Sequence, residues 1–133
     1  MKHREAVAAV VLHEGKILCV QNGDGKRAYE ARKYEFPGGK IEAGETEQEA
    51  VVREMMEELA MPVSVGRKLL VVDHTYPDVH ITMHVYLCSC ENPRVTLTEH
   101  SAYQWLAPGE LRKLDWAEAE WGVVGVVESF THF

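Results

Sequence analysis

Three glutamates and one arginine lie within residues 53–58, in the stretch REMMEE. At about 100° per residue of an α-helix, Glu54, Glu57 and Glu58 fall together on one arc. Like charges three or four residues apart on a helix cost roughly 0.2–0.5 kcal/mol per pair. Such an arc is either a solvated face or a platform for a cation. Mg²⁺ and Mn²⁺ bind carboxylate oxygens and commonly complete their coordination with substrate phosphates, so a divalent metal site is the chemical alternative.

A glycine-rich loop leads into this segment. Gly38 and Gly39 precede Lys40, and the loop continues with two carboxylates to residue 45. Glycines let the backbone approach a ligand closely, and the free N–H groups at a helix N-terminus suit anions. Joined to the acidic arc, the loop predicts a site for a metal ion and a diphosphate.

The helix that must carry the acidic arc has clear boundaries. Thr46 followed by Glu49 is a capping-box pattern, and Pro62 cannot continue a helix, so a helix is predicted from about residue 46 to Ala60. Its apolar arc is expected to face the core and to comprise Val51, Val52, Met55, Met56 and Leu59.

The rest of the chain predicts strands and two short helices. Apolar and alternating runs indicate a hairpin of residues 6–12 and 16–20, then strands at 63–73, 79–90 and 103–106, with a polar loop at 22–34. Helices are predicted at 108–114 and 118–130, the last with Trp121, Val124 and Val127 as its apolar stripe. Strands before and after helices predict an α/β (α+β) layer sandwich with a mixed sheet.

Composition restricts the class of protein. The 133 residues, 46% of them hydrophobic, suit one domain over residues 1–133, and the net charge of −7 disfavours nucleic-acid polymers. The apolar run at residues 6–12 is too short to span a membrane. Three cysteines without disulfide or zinc spacing favour a cytoplasmic protein. We expect no membrane partner, and either a monomer or a homodimer.

Residues 39–61 resemble the Nudix box, a long gapped pattern. The positions in register are Gly39, Glu45, Arg53, Glu54, Met55, Glu57, Glu58 and Met61. Ala60 stands where the pattern has Gly, so the helix end is expected to differ. Segments 34–42 and 76–82 are similar to the MutT branch of the family, the nucleoside triphosphate pyrophosphohydrolases. The resemblance implies a Nudix α/β/α sandwich that hydrolyses a nucleoside diphosphate linked to a further group.

The resemblance also implies roles for individual residues. Mg²⁺, with Mn²⁺ as a possible substitute, would be held by Gly38, Glu54, Glu57, Glu58 and Glu99. Glu54, Glu58 or Glu99 would orient or deprotonate the attacking water, and we favour Glu54. Arg53 is expected to orient the carboxylates. The histidines are all expected to be hydrogen-bonded or solvent-facing, including His100 beside Glu99.

Substrate contacts are expected from both ends of the chain. Phe36, Tyr76 and Glu120 are candidates for the base, although Phe36 and Tyr76 could equally serve core packing. The MutT branch carries Asn or Asp near Glu120, and a glutamate cannot donate a hydrogen bond unless it is protonated. Gly39 and Lys40 are candidates for the phosphates, as are the loop cations Arg27, Arg32 and Lys33.

Three functions fit these residues. The first is hydrolysis of an oxidised purine triphosphate such as 8-oxo-dGTP to monophosphate and pyrophosphate, which sanitises the nucleotide pool. The second is the same chemistry on CTP or another pyrimidine nucleotide, or on a dinucleoside or sugar diphosphate. The third is a nucleotide-binding module without turnover, against which the intact Glu54, Glu57 and Glu58 argue.

Overall fold

The computed structural model describes residues 1–130. Its strands are β1 (Lys2–His13), β2 (Lys16–Gln21), β3 (Tyr34–Glu35), β4 (Gly38–Lys40), β5 (Ser64–Tyr76), β6 (Val79–Ser89) and β7 (Ala102–Leu106). They form one sheet with the central order β3-β2-β1-β6-β5, while β4 pairs with β1 and β7 with β2. β1 and β6 are parallel and the other pairs are antiparallel, so the predicted mixed sheet is confirmed.

The helical segments are α1 (Glu47–Leu59), two 3₁₀ turns at Pro108–Lys113 and Glu118–Glu120, and α2 (Trp121–Glu128). α1 begins as predicted, because Thr46 Oγ1 accepts from the Glu49 N–H at 3.1 Å and the Thr46 N–H donates to Glu49 Oε1 at 2.9 Å. Ala60 ends it in the left-handed conformation, at φ 51°.

The last predicted helix is partly wrong. It is interrupted by the 3₁₀ turn and ends at Glu128, and its buried residues are Val123, Val124 and Val127. Trp121 is 37% exposed. It opens the helix at the surface, where the Arg112 guanidinium carbon lies 5.9 Å from its ring centroid.

The sheet is buried on both sides, as side chains of successive β1 residues point to opposite faces. Ala8 and Val10 belong to the cluster that contains the α2 valines, whereas Val7, Ala9 and Val11 pack with α1. The α/β/α arrangement implied by the resemblance is therefore present. No helix within residues 1–130 is long and apolar enough to cross a membrane.

The predicted faces of α1 need correction. Val51, Met55 and Leu59 are buried as expected, but Val52 and Met56 are 41% and 47% exposed. Glu58, expected on the solvent arc, is 5% exposed. The sheet covers the narrow stripe formed by residues 50, 51, 55 and 59, and β4 closes over the edge of the helix that carries Glu58.

Candidate active site

Two glycines bring β4 against the acidic edge of α1. An added Cβ at Gly38 would lie 2.0 Å from the Val7 carbonyl oxygen, so only glycine fits beside β1. An added Cβ at Gly39 would lie 2.6 Å from the Glu54 carboxylate. The Gly38 N–H donates to Glu58 Oε1 at 3.0 Å. The loop and the acidic arc therefore meet, as the sequence predicts.

Arg53 connects the loop to the helix through three carboxylates. Its Nε and Nη2 donate to the two oxygens of Glu45, at 2.6 and 3.0 Å. Its Nη1 donates to Glu54 at 2.8 Å and to Glu57 at 3.1 Å, and Nη2 also donates to the Lys40 carbonyl at 2.9 Å. Bidentate bonds of this kind fix geometry as well as adding energy.

The carboxylates on the inner side of α1, Glu54 and Glu58, are not neutralised by cations to the same extent. Burial raises the pKa of Glu58 to about 9, and the charges of Glu35, Glu54 and Glu99 add to the effect against the opposing Gly38 N–H. Burial also raises the pKa of Glu54, although Arg53 opposes this. Burial is the main cause of both raised pKa values, and neighbouring carboxylates on the inner side of α1 add to it.

Two residues of this cluster lie outside the predicted set. His100 Nε2 is 3.0 Å from Glu35 Oε2 and 3.8 Å from Glu58 Oε2. One ligand atom from each of these residues lies within 4.8 Å of the other two. His100 is hydrogen-bonded, as expected of the histidines, but its side chain is only 2% exposed and its Nδ1 has no hydrogen-bond partner within residues 1–130. A carboxylate at the end of an otherwise apolar strand was the available sequence signal for Glu35.

The donor set fits a hard divalent cation. Glu54 and Glu58 are largely buried, with side chains 14% and 7% exposed, and Glu57 lies at the rim at 57%. Glu99 is exposed, yet its charge contributes to the raised pKa of both Glu54 and Glu58. Crowded carboxylates with raised pKa values are stabilised by a cation that pairs with their ionised forms.

A pocket extends from these carboxylates along the α2 side of the sheet. Its lining includes five of the eight residues predicted to touch substrate: Phe36, Gly39, Lys40, Tyr76 and Glu120. Phe36 stacks on Trp116 with a centroid distance of 4.5 Å, and Tyr76 stacks on Tyr29 at 4.1 Å. Both rings are also buried in the core, so each ring lines the pocket and packs against the core at the same time.

Glu120 is the buried polar group at the far end of this pocket. Its Oε1 accepts from the Phe36 N–H at 2.9 Å. Burial raises the pKa of Glu120 to about 8, with a further contribution from the Glu35 charge. Near neutral pH the carboxyl is therefore largely protonated and has a donor as well as an acceptor.

The three loop cations predicted to touch phosphate do not line the pocket. Arg27 pairs with Asp78 at 2.8 Å, Arg32 with Asp24 at 2.7 Å, and Lys33 with Asp115 at 2.8 Å. The cations that do line it are Arg4, Lys26 and Lys40. Of these three, only Lys40 was predicted from the sequence to contact the substrate.

The chain matches a known family. The NUDIX domain model matches residues 2–124, and the chain belongs to that family. It is 31% identical over 130 residues to the CTP pyrophosphohydrolase of Escherichia coli K12, covering 98% of this chain and 93% of that protein. It is 45% identical over 87 residues to the 8-oxo-dGTP diphosphatase of the same strain, covering 65% and 67%.

Solved structures agree with this assignment. The solution structure of the E. coli ORF135 protein matches with a TM-score of 0.79 at 30% identity, over 95% of this chain and 89% of that one. The MutT protein of Methanosarcina mazei Go1 matches with a TM-score of 0.84 at 23% identity, over 96% and 91%. The second likeness concerns the fold alone. The predicted MutT-like Nudix resemblance is confirmed.

Proposed function

We propose that this protein is a metal-dependent pyrophosphohydrolase that converts a nucleoside triphosphate to the monophosphate and pyrophosphate. The observation that carries the proposal is the acidic cluster of Glu54, Glu57 and Glu58, of which Glu58 lines a pocket that is also lined by the rings of Phe36 and Tyr76. A nucleotide has the matching asymmetry, with phosphates at one end and a flat base at the other. The names of the two E. coli relatives support the same chemistry.

The metal ligands follow from the donor set. Glu54, Glu57 and Glu58 would hold Mg²⁺ or Mn²⁺ with the Gly38 carbonyl, and Glu99 would join from its exposed loop. A divalent ion held there neutralises charge on the phosphoryl oxygens and makes a neighbouring water more acidic. Glu35 and His100 extend the cluster on its buried side.

Glu54 is our preferred proton acceptor, with Glu58 and Glu99 as alternatives. Arg53 holds one oxygen of Glu54, so the position of the carboxylate is fixed. Burial raises its pKa, which makes it a stronger base than an exposed glutamate. Water oxygen attacks a phosphorus of the bridging chain, its proton passes to the carboxylate, and the bond to the departing pyrophosphate breaks.

The base end favours a nucleobase with N–H donors. Ionised Glu120 accepts from an amino group or ring N–H, and the protonated form also donates. An oxidised guanine triphosphate such as 8-oxo-dGTP fits this pocket. CTP is the second candidate, because the relative that covers 98% of the chain is a CTP pyrophosphohydrolase.

The remaining expectations also stay proposals. We propose that residues 1–133 act as one cytoplasmic domain, either as a monomer or as a homodimer. The net charge of −7 supports a small nucleotide rather than a nucleic-acid polymer as the partner.

The test is a nucleotide panel with Mg²⁺ that measures monophosphate and pyrophosphate. It contains 8-oxo-dGTP, dGTP, CTP, dCTP, ATP, a dinucleoside polyphosphate and a sugar nucleotide. We expect pyrophosphate from at least one triphosphate, a loss of about 10²-fold or more in Glu57→Gln, and normal turnover in Glu91→Gln, which alters an exposed carboxylate elsewhere. Absence of turnover on every nucleotide would favour the binding module, and release of orthophosphate would contradict the chemistry.

A further inference from the structure

Arg4 is a cation in the pocket wall whose side chain has no hydrogen-bond or ion-pair partner within residues 1–130. It is partly buried. Its charge acts only at longer range, where it opposes the burial that raises the pKa of Glu30. By contrast, Arg27, Arg32 and Arg53 each bind carboxylates directly. A guanidinium that faces a concave pocket without a partner is available to a ligand.

The register of the sheet places Arg4 at the apolar end of the pocket. Arg4 is the strand partner of Ile81, and Ala6, on the same face of β1, is the partner of Met83. Ile81 packs against the cluster that contains Tyr76 and Ala119. Arg4 therefore belongs to the wall where a base would lie.

Lys40 lies on the neighbouring strand β4, nearer to the acidic cluster than Arg4 does. It is the strand partner of Ala6 on β4 and directly follows Gly39, whose backbone is against Glu54. A polyphosphate near the acidic cluster would meet Lys40 before Arg4. The position of Arg4 thus favours a ligand group on the base.

A base offers a guanidinium two kinds of acceptor, carbonyl oxygens and ring nitrogens, and guanine and cytosine place one of each side by side. Glu120 in the same pocket supplies the complementary acceptor for N–H groups. Guanine, 8-oxoguanine and cytosine present both a carbonyl oxygen and N–H donors, whereas adenine lacks the carbonyl.

We propose that Arg4 is a specificity-determining residue that donates hydrogen bonds to a carbonyl oxygen of the substrate base. Nucleotides with such a carbonyl are selected over adenine nucleotides. The inference rests on the proposed function, because it assumes that a nucleotide base occupies this pocket. It concerns binding, so it is tested without turnover.

The experiment measures the affinity of product-like monophosphates by calorimetry with Mg²⁺. dGMP is compared with 6-thio-dGMP, which keeps the N1–H, and CMP is compared with 2-thio-CMP; in both analogues a sulfur, which is a weak acceptor, replaces the carbonyl oxygen. Wild type should bind the carbonyl member of a pair about 10–100-fold more tightly. Arg4→Leu should lose most of that preference, and dAMP affinity should change less than about threefold.

Controls separate a base contact from a phosphate contact and from misfolding. Arg4→Lys retains the charge and a donor without the planar fork, so it should keep only part of the preference. Arg94→Leu, at an exposed arginine outside the pocket, should retain it. Equal thermal unfolding of the variants and unchanged affinity for inorganic triphosphate are expected.

Two results would overturn the proposal. One is an equal loss of affinity for all monophosphates and inorganic triphosphate in Arg4→Leu, which would make Arg4 a phosphate contact. The other is an unchanged carbonyl preference in Arg4→Leu. If wild type binds neither dGMP nor CMP yet hydrolyses triphosphates, the Arg4 assignment fails and the proposed function stands. If it binds them without hydrolysing any nucleotide, the proposed function fails instead.

Discussion

Arg53 binds both oxygens of Glu45, eight residues earlier, with its Nε and Nη2 at 2.6 and 3.0 Å. The remaining nitrogen, Nη1, reaches Glu54 and Glu57. One guanidinium thereby fixes the loop before α1 and two carboxylates proposed as metal ligands. A single ammonium group cannot make this set of bonds, because it is a compact point charge without a fork.

We therefore expect Arg53→Lys to impair both stability and rate. Loss of the bidentate bond should lower the free energy of unfolding by about 1–2 kcal/mol and kcat by about tenfold or more. Urea unfolding and steady-state kinetics measure the two effects. Arg112→Lys is the matched control, since Arg112 pairs with Glu128 at the surface and should change stability by less than about 0.5 kcal/mol. Equal effects in both variants would contradict the role given to Arg53.

The two site glycines should respond differently to alanine. Gly38→Ala places Cβ against the Val7 backbone, which cannot move independently of the sheet, so a loss of about 2 kcal/mol or more is expected. Gly39→Ala meets the end of the Glu54 side chain, which can shift more readily than backbone but only by giving up its hydrogen bond to Arg53. This variant should retain most of its stability and lose activity. Thermal unfolding and kinetics of the pair separate the outcomes, and a Gly39→Ala enzyme of normal rate would argue against the placement of Glu54.

Ala60 carries a backbone conformation that suits glycine. A non-glycine residue in the left-handed region destabilises the folded state by roughly 1–2 kcal/mol. Glycine avoids this strain but loses more chain entropy on folding, so the net gain is smaller. Ala60→Gly, which restores the family pattern, should raise the free energy of unfolding by about 0.5–1 kcal/mol. Ala43→Gly, in the exposed loop, provides the comparison and should not stabilise. A destabilised Ala60→Gly protein would refute this account of the helix end.

The metal-free protein should become less stable as pH rises from about 4.5 to about 9. The pKa of Glu58 is raised to about 9 and that of Glu120 to about 8, both chiefly by burial. The folded state thus keeps protons that the unfolded state releases near pH 4.5, and their stabilising contribution is lost as pH rises through the folded-state pKa values.

Glu58→Gln isolates this effect. At pH 8.5 in EDTA it should be more stable than wild type by at least about 1 kcal/mol, with little difference at pH 4.5. Urea unfolding across the pH range measures it, and Glu91→Gln should follow wild type. A Glu58→Gln variant that is destabilised at pH 8.5 and not at pH 4.5 would reverse the sign and contradict the assigned burial.

Local patterns predicted part of this molecule. The capping box at Thr46, the acidic arc and the glycine loop depend on neighbours within a few turns of chain, and the structure contains each of them. The burial of Glu58 and the exposure of Val52 and Met56 depend on where β4 and the sheet contact α1, which helical periodicity does not specify.

Contacts between residues that are far apart in the sequence could not be predicted from local patterns. His100 meets Glu35 across 65 positions of sequence, and Glu120 binds the Phe36 N–H across 84. In the sequence alone, Arg4 is simply a polar residue near the start of a predicted strand. It becomes a pocket residue only when β1 is placed beside β6 in parallel register.

The most direct test of the metal site is a calorimetric titration of Mn²⁺ and Mg²⁺ into the protein with a non-hydrolysable triphosphate analogue bound. We expect ion binding whose affinity falls about tenfold or more in Glu57→Gln and is unchanged in Glu91→Gln. Uptake that is absent in wild type, or equal in wild type and Glu57→Gln, would contradict the claim that these carboxylates hold the metal.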